Sequence, residues 1–316
     1  FALKVMRDIA GNLEISKKNF DEERGIILEE SRARMLGAGA RMTKQQMAFH
    51  HPNSPLLKFP IGSDDSIKAL TANQAQNFYK KWYHASNMTL VIAGDFKSKT
   101  EIQAKIQNQF KNLKNNPNQA ARIHKFYPSR TRAVTYTDKE PLNEQVILST
   151  PIKRSNGKFI GGTHELWLFS VAVKLINERF SLVVEENPSV LTSAGINNNY
   201  RLDKSNHLIL VAKTTDDGMN HGLALLKETY LQAIKFGFSA KELSDYVNKS
   251  LQQADSYLQY KDKINTSTKT NQIINYLTQP LSFMSPKQWY QVRQNFLKTL
   301  TLSQLNEYFA SFPQDG

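Results

Sequence analysis

The chain has 316 residues, is 40% hydrophobic and 22% charged, and contains no cysteine. That composition predicts a globular protein of roughly two domains; it excludes collagen-like, low-complexity and wholly disordered chains, and with them disulfide scaffolds, thiolate metal sites and cysteine nucleophiles. The net charge is +13, and it is unevenly spread. No acidic residue lies between Ser31 and Ser63, which hold Arg32, Arg34, Arg41, Lys44 and Lys58. Between Phe96 and Asp138 there is one acid, Glu101, among nine lysines and arginines. Such a surface attracts acidic peptides, nucleic acid or anionic lipid, although solubility alone accounts for net charge equally well. The longest apolar stretch, Leu166 to Ile176, is short and interrupted by Lys174, so no transmembrane segment is expected.

In chain order, Ala2, Leu3, Met6, Ile9, Ala10 and Leu13 fall at helical spacing. The helix is under way at the first residue, with neither an initiating Met nor a capping residue before it, and no signal peptide is expected within these residues. The expectation is a piece of a longer protein. A second helix is expected near Asn19, where Asn19 and Glu22 form a capping-box pattern. It should run through Glu30 and Arg34 to a helix end at Gly37 and Gly39. His51-Pro52 and Pro55 mark a loop, and Ser63–Asp65 can cap a short helix. Thr71–Tyr83 reads as a helix, Met88–Ala93 as a buried strand, and Ser98–Leu113 as an amphipathic helix. Lys114–Pro128 has no periodicity and reads as a linker. Beyond it, strands are expected at Ala133–Tyr136, Gln145–Ser149 and Leu208–Ala212. Helices are expected at His164–Asn187, His221–Phe236, Ala240–Tyr260, Ile264–Tyr276, Pro286–Leu297 and Leu302–Phe309. Strands and helices mix without strict alternation, which favours α+β over a doubly wound parallel sheet.

Several chemistries fail on spacing. Only His164 is followed by Glu, and the second imidazole of H-E-x-x-H is replaced by Leu168. The inverted H-x-x-E-H pattern fails at all seven histidines, which read as surface or interface residues. There is no G-K-[ST] for a P-loop and no G-x-S-x-G for a nucleophile elbow. Aromatics do not interleave with the basic runs, so no nucleic-acid recognition motif accompanies the charge. The sharpest feature is Glu23-Arg24-Gly25-Ile26-Ile27-Leu28-Glu29-Glu30. Glu23 and Glu30, seven apart, share a helix face, and Ile26 and Ile27 place apolar surface beside Glu30. That carboxylate needs a partner: a metal would serve, and so would Arg34 at i+4.

FDEERGIILEESRARM resembles the downstream glutamate helix of the insulinase/pitrilysin zinc metallopeptidases, the inverzincins, which include the mitochondrial processing peptidases. The resemblance continues in order through Phe59–Ser63, Ile67–Thr71, Phe78–Tyr83 and Asn87–Asp95, and covers roughly residues 16–113. It implies an α+β fold of two related halves, each a mostly antiparallel sheet packed with helices. Residues 1–115 would complete the first half, 116–130 the linker, and 131–316 the second half. It further implies a zinc-dependent endopeptidase subunit. Glu30 matches the third zinc ligand and Glu23 a supporting carboxylate, while the two histidines and the general-base glutamate of H-x-x-E-H would lie before Phe1. The residues given should therefore be inactive and bind zinc poorly. Active single-chain relatives carry an Arg and a Tyr seven apart that hold the substrate carbonyl; the aligned positions here are Glu185 and Thr192. A related subunit would then supply those donors in a homo- or heterodimer. The implied substrate is a peptide or unfolded protein, and nucleic acid is not an expected partner. A periplasmic or secreted bacterial location suits the absence of cysteine. The alternative is a non-catalytic, peptidase-like partner or scaffold subunit.

Overall fold

The computed structural model describes residues 1–50, 61–115, 133–140, 144–152, 159–200, 206–278 and 281–313. The chain divides into two compact units, Phe1–Leu142 and Asn143–Gly316. The fold class is α+β, as the sequence predicts.

Unit 1 is helical among its described residues. It comprises α1 (Ala2–Gly11), α2 (Lys17–Met35), α3 (Ala38–His50), α4 (Asp64–Ala69), α5 (Ala72–Trp82) and α6 (Lys99–Phe110). The caps explain most of its boundaries. Ser63 and Thr71 form reciprocal capping boxes with Ser66 and Gln74 that start α4 and α5. The cap of α2 is Ser16, whose hydroxyl accepts from Asn19 N at 3.2 Å, so the helix starts three residues before the expected Asn19 cap. The helix ends where expected, just before Gly37: α2 stops at Met35 with Leu36 as its C-cap, and a further helix, α3, starts directly after. Gly37 marks the break after α2, and Gly39 lies inside α3.

Two expected strands are not formed. Met88–Ala93 and Ala133–Tyr136 carry no ladder pairing. An apolar run expresses a preference for extended backbone, but a strand also needs a hydrogen-bonding neighbour. Among the described residues unit 1 offers none. The sheet expected in each half is therefore seen only in unit 2. The loop at His51–Pro55 and the linker at 116–130 lie outside the described residues.

Unit 2 contains β1 (Gln145–Ile152), α7 (Ile160–Glu186), β2 (Leu191–Tyr200) and β3 (Asn206–Thr214), followed by α8 (Met219–Phe236), α9 (Ala240–Gln259), α10 (Thr266–Thr278), α11 (Pro286–Thr299) and α12 (Leu302–Ala310). The strands form an antiparallel sheet in the order β1-β3-β2. Ile147 faces Val211 across one pair and Ile196 faces Leu210 across the other. Leu208, Leu210 and Ala212, on one face of β3, are almost fully buried. They join Val171, Leu175, Ile176 and Phe180 of α7, Leu226 and Tyr230 of α8, and Leu305 and Phe309 of α12 in one core.

Two details lock this core. Asn177 of α7 lies against edge strand β2: its Nδ2 donates to Ile196 O at 2.9 Å and its Oδ1 accepts from Ile196 N at 2.7 Å. The carboxamide thus takes the place of a neighbouring strand at one residue. At the α8–α9 turn Gly237 adopts φ +70°, where a Cβ would meet Asn306 at 2.4 Å. Asn306 in turn accepts from Phe238 N at 2.8 Å and donates to Phe238 O at 3.2 Å.

Candidate metal centre

The candidate carboxylates stand on α2, and burial separates its two faces. Arg24, Leu28, Ser31 and Met35 are turned inward. Ser31 donates to Asp64 Oδ1 at 2.8 Å, and Arg24 donates to Leu70 O at 3.1 Å, which fixes α2 against α4 and its end. Glu23, Ile26, Glu30 and Arg34 form the opposite, exposed stripe. The spacing argument therefore holds: Glu23 and Glu30 share a face, and that face looks away from the core of unit 1.

On that face Glu30 pairs with Arg34 at 2.6 Å, with 42% of its side chain exposed. This is the i+4 ion pair that the sequence allows as the alternative to a metal. Glu23 has no hydrogen bond or ion pair among the described residues. Two helical turns separate the two carboxylates by about 10.5 Å along the axis, so they cannot both ligate one cation. Apolar surface does border the stripe, as Ile26 is exposed.

Beyond α2 a second cluster fastens residues 133–140 to the start of α3. Arg41 donates from Nε to Asp138 Oδ2 at 2.8 Å and from Nη2 to Asp138 Oδ1 at 2.5 Å, a bidentate pair. Its Nη2 also lies 3.1 Å from Glu140. Ala38 N, at the N-terminus of α3, donates to Glu140 Oε2 at 3.1 Å, where a negative charge suits the helix dipole. Tyr136 donates to Asp138 as well. The Arg41 hydrogen bonds hold the Asp138 carboxyl below the ordinary carboxylate range, with Tyr136 and the Glu140 backbone acting in the same direction. The same carboxylate raises the Tyr136 hydroxyl.

A zinc site takes three protein ligands and an open position. Among the described residues no group of three His, Asp or Glu side chains could hold a metal. The histidines are used elsewhere. His84 is 3% exposed with Ser86 Oγ 2.9 Å from Nδ1, and His207 is 8% exposed beside Ser149; both depart from the surface role expected. His164 stacks on Trp167 and meets Phe296 at a tilt, and the buried Arg293 guanidinium lies over the same two rings. The donors present do not fit a complete zinc centre. Glu185, at the end of α7, and Thr192, on β2, are both exposed, and Thr192 donates to Lys213 O at 3.2 Å. Neither is an Arg or a Tyr. What sequence reasoning missed here is the Arg41–Asp138–Glu140 cluster, whose members are about a hundred residues apart and share no local pattern.

Comparison with known proteins places the chain in a family. Residues 69–250, more than half of the chain, match the family described as "Peptidase M16 inactive domain". The match starts beyond α2 and does not cover Glu23 or Glu30. A protein of Escherichia coli named "Probable zinc protease PqqL" is 26% identical over 299 residues, 92% of this chain and 31% of that protein. The chain thus spans about a third of the length of that curated relative. The crystal structure of the periplasmic protease PqqL from Escherichia coli superposes with a TM-score of 0.82 at 22% identity, over 98% of this chain and 34% of that one. The structure of the first half of PqqL gives 0.81 at 22% identity, over 98% of this chain and 66% of that half. At that identity the two structures establish a shared fold.

Proposed function

The chain belongs to the peptidase M16 family of insulinase- and pitrilysin-like proteins, and on that premise we propose that it serves a zinc-dependent endopeptidase whose other metal ligands lie outside the described residues. Glu30 is the carboxylate ligand, and Glu23, two turns earlier on the same face, supports the site. Glu30, with ligands outside the described residues, would hold the zinc, which would supply a polarised water for attack on a peptide carbonyl. The part of this chain is to present Glu30 on a braced helix, with Ser31 and Arg24 fixing the opposite face. The substrate is a peptide or an unfolded protein, and a related subunit supplies the carbonyl-holding Arg and Tyr that Glu185 and Thr192 replace. The periplasm is the proposed compartment, as for the periplasmic protease PqqL of Escherichia coli.

One observation carries this reading. The exposed stripe of α2 holds two carboxylates and an isoleucine with no packing role in unit 1, and a conformationally fixed, outward-facing Glu is what a ligand completed from elsewhere requires. The test is zinc content and peptide hydrolysis of the full-length gene product and its Glu30→Gln variant. Loss of zinc and of hydrolysis in the variant is expected. Wild-type zinc and turnover in Glu30→Gln refute the ligand role.

The second reading, a non-catalytic partner subunit, is favoured by the Glu30–Arg34 pair, which satisfies the carboxylate without a metal. It predicts a full-length protein that binds no zinc at all.

A further inference from the structure

In unit 2 one helix is built unlike its neighbours. No residue of α10 is buried. Ile274, Tyr276 and Leu277 are 40%, 44% and 50% exposed, and Phe283, just beyond the helix, is 58% exposed with its ring 5.4 Å from that of Tyr276. At 100° per residue Tyr276, Ile273, Leu277 and Ile274 fall on one arc, joined by the methyl groups of Thr266 and Thr270. Asn271, Gln272 and Asn275 occupy the opposite face.

Such a helix has little holding it. It is 13 residues long and rich in Thr and Asn, which are poor helix formers. Its local support is the Asn265 side chain, which accepts from Thr268 N at 2.8 Å. Isolated helices of this length are marginal in water, and protein helices draw their stability from a buried face. The apolar arc of α10 has the pattern of a buried face, yet only Thr270 and Ile273 are half-buried and the rest of the arc is exposed.

Charge then specifies what fits. No Asp or Glu occurs between Lys263 and Asn306. At the foot of α10 Lys261 is ion-paired with Asp262, whose carboxyl is held low first by Lys261 and then by the charges of Lys269 and Lys287; Lys263 lies over the Tyr260 ring beside them. A helix lying in a membrane surface carries lysine and arginine across its polar face, whereas this polar face is Asn and Gln. A protein partner is therefore favoured over lipid.

We propose that α10 and Phe283 form a docking surface for an amphipathic helix of another polypeptide, with an Ile/Leu stripe seated on Ile273, Ile274 and Leu277 and acidic residues on its flank meeting Lys263, Lys269 and Lys287. Docking orders α10, which is loose in the free chain. This rests neither on zinc nor on peptidase activity, so it stands or falls separately from the reading above.

The test uses the whole chain and a labelled 18-residue synthetic helix with leucine at i, i+3, i+4 and i+7 and glutamate on its flanks. A control peptide carries lysine in place of glutamate. Anisotropy should detect saturable binding of the acidic peptide, weakened about tenfold in Lys269→Glu and by added salt, and abolished in Ile274→Asp/Leu277→Asp. Both substituted residues of that double variant are exposed, so its circular dichroism should match wild type outside α10. Hydrogen exchange of α10 amides should be fast in the free chain and slow at least tenfold on binding. Four results overturn the proposal: no binding, equal binding of the lysine peptide, binding to phosphatidylglycerol vesicles lost in the double variant, or α10 amides already protected in the free chain through self-association that Ile274→Asp breaks.

Discussion

Replacing Asn177 with alanine removes both hydrogen bonds that close the edge of β2 at Ile196, at 2.7 and 2.9 Å. Ile196 is 1% exposed, so water has poor access to the two groups left behind. Each lost bond is worth about 0.5–1.5 kcal/mol net, and an orphaned buried group costs about 1–3 kcal/mol. These ranges describe overlapping effects, and together they give about 2–4 kcal/mol. Asn177→Asp keeps an acceptor for Ile196 N but sets a carboxylate oxygen against Ile196 O, so it should lose at least as much. Urea unfolding followed by the fluorescence of Trp167 and Trp289 reads unit 2, with Trp82 of unit 1 replaced by Phe to silence it. With a slope of about 2 kcal/mol per molar urea, the midpoint should fall by about 1–2 M in Asn177→Ala. Gly195→Ala should do similar harm by a different route, because its Cβ would stand 2.9 Å from Asn177 Oδ1. A midpoint moved by less than about 0.25 M, or roughly 0.5 kcal/mol at that slope, would mean that the carboxamide is not what completes the edge strand.

Two further outcomes are expected. Burial raises the Glu242 carboxyl, but the hydrogen bonds from Arg179 and Ser239 outweigh it and bring it from 4.5 to about 2. A folded pKa below the unfolded one gives stability that is full above about pH 4.5 and is lost as pH falls towards 2. The full span corresponds to about 3 kcal/mol, reduced to about 1–2 kcal/mol for a pair that remains partly open to solvent. Unit 2 of Arg179→Met should therefore lose stability at pH 7 and show a shallower decline between pH 5 and 2; parallel curves for the two proteins would refute this. In unit 1, Arg41→Met should release residues 133–140 and speed cleavage after Asp138 or Glu140 by a glutamyl endopeptidase several-fold, and an unchanged rate would show that other contacts hold the segment.

How far the sequence reveals these features depends on whether the cause is local. The long helix α7 is legible because Val171, Leu175 and Ile176 fall at helical spacing, and β3 because Leu208–Ala212 is an apolar run. β2 is not legible: its Ile-Asn-Asn-Asn core has low strand preference, and what makes it a strand is pairing with β3 and with Asn177, nineteen residues away. Met88–Ala93 errs in the opposite direction, with strong preference and no partner. Helix α3 is hidden by Gly37 and Gly39, which read as a terminus. The shared face of Glu23 and Glu30 follows from periodicity alone. Whether Glu30 meets a metal or Arg34 does not, because that depends on donors brought from other elements. The carboxylates around Arg41 are invisible for the same reason.

Helix α12 sits late in the chain yet in the middle of the unit 2 core. Leu305 and Phe309 are fully buried, Asn306 grips the backbone of Phe238, and Tyr230 donates to Pro313 O at 2.7 Å. On the ribosome, the sheet and α7 of unit 2 must then wait for roughly a hundred further residues before their apolar surfaces are closed. At about 5–20 residues per second that is an interval of several seconds in which Phe180 and its neighbours stay open to water and to chaperones. Closing the core of unit 2 thus depends on the last of its helices to be made.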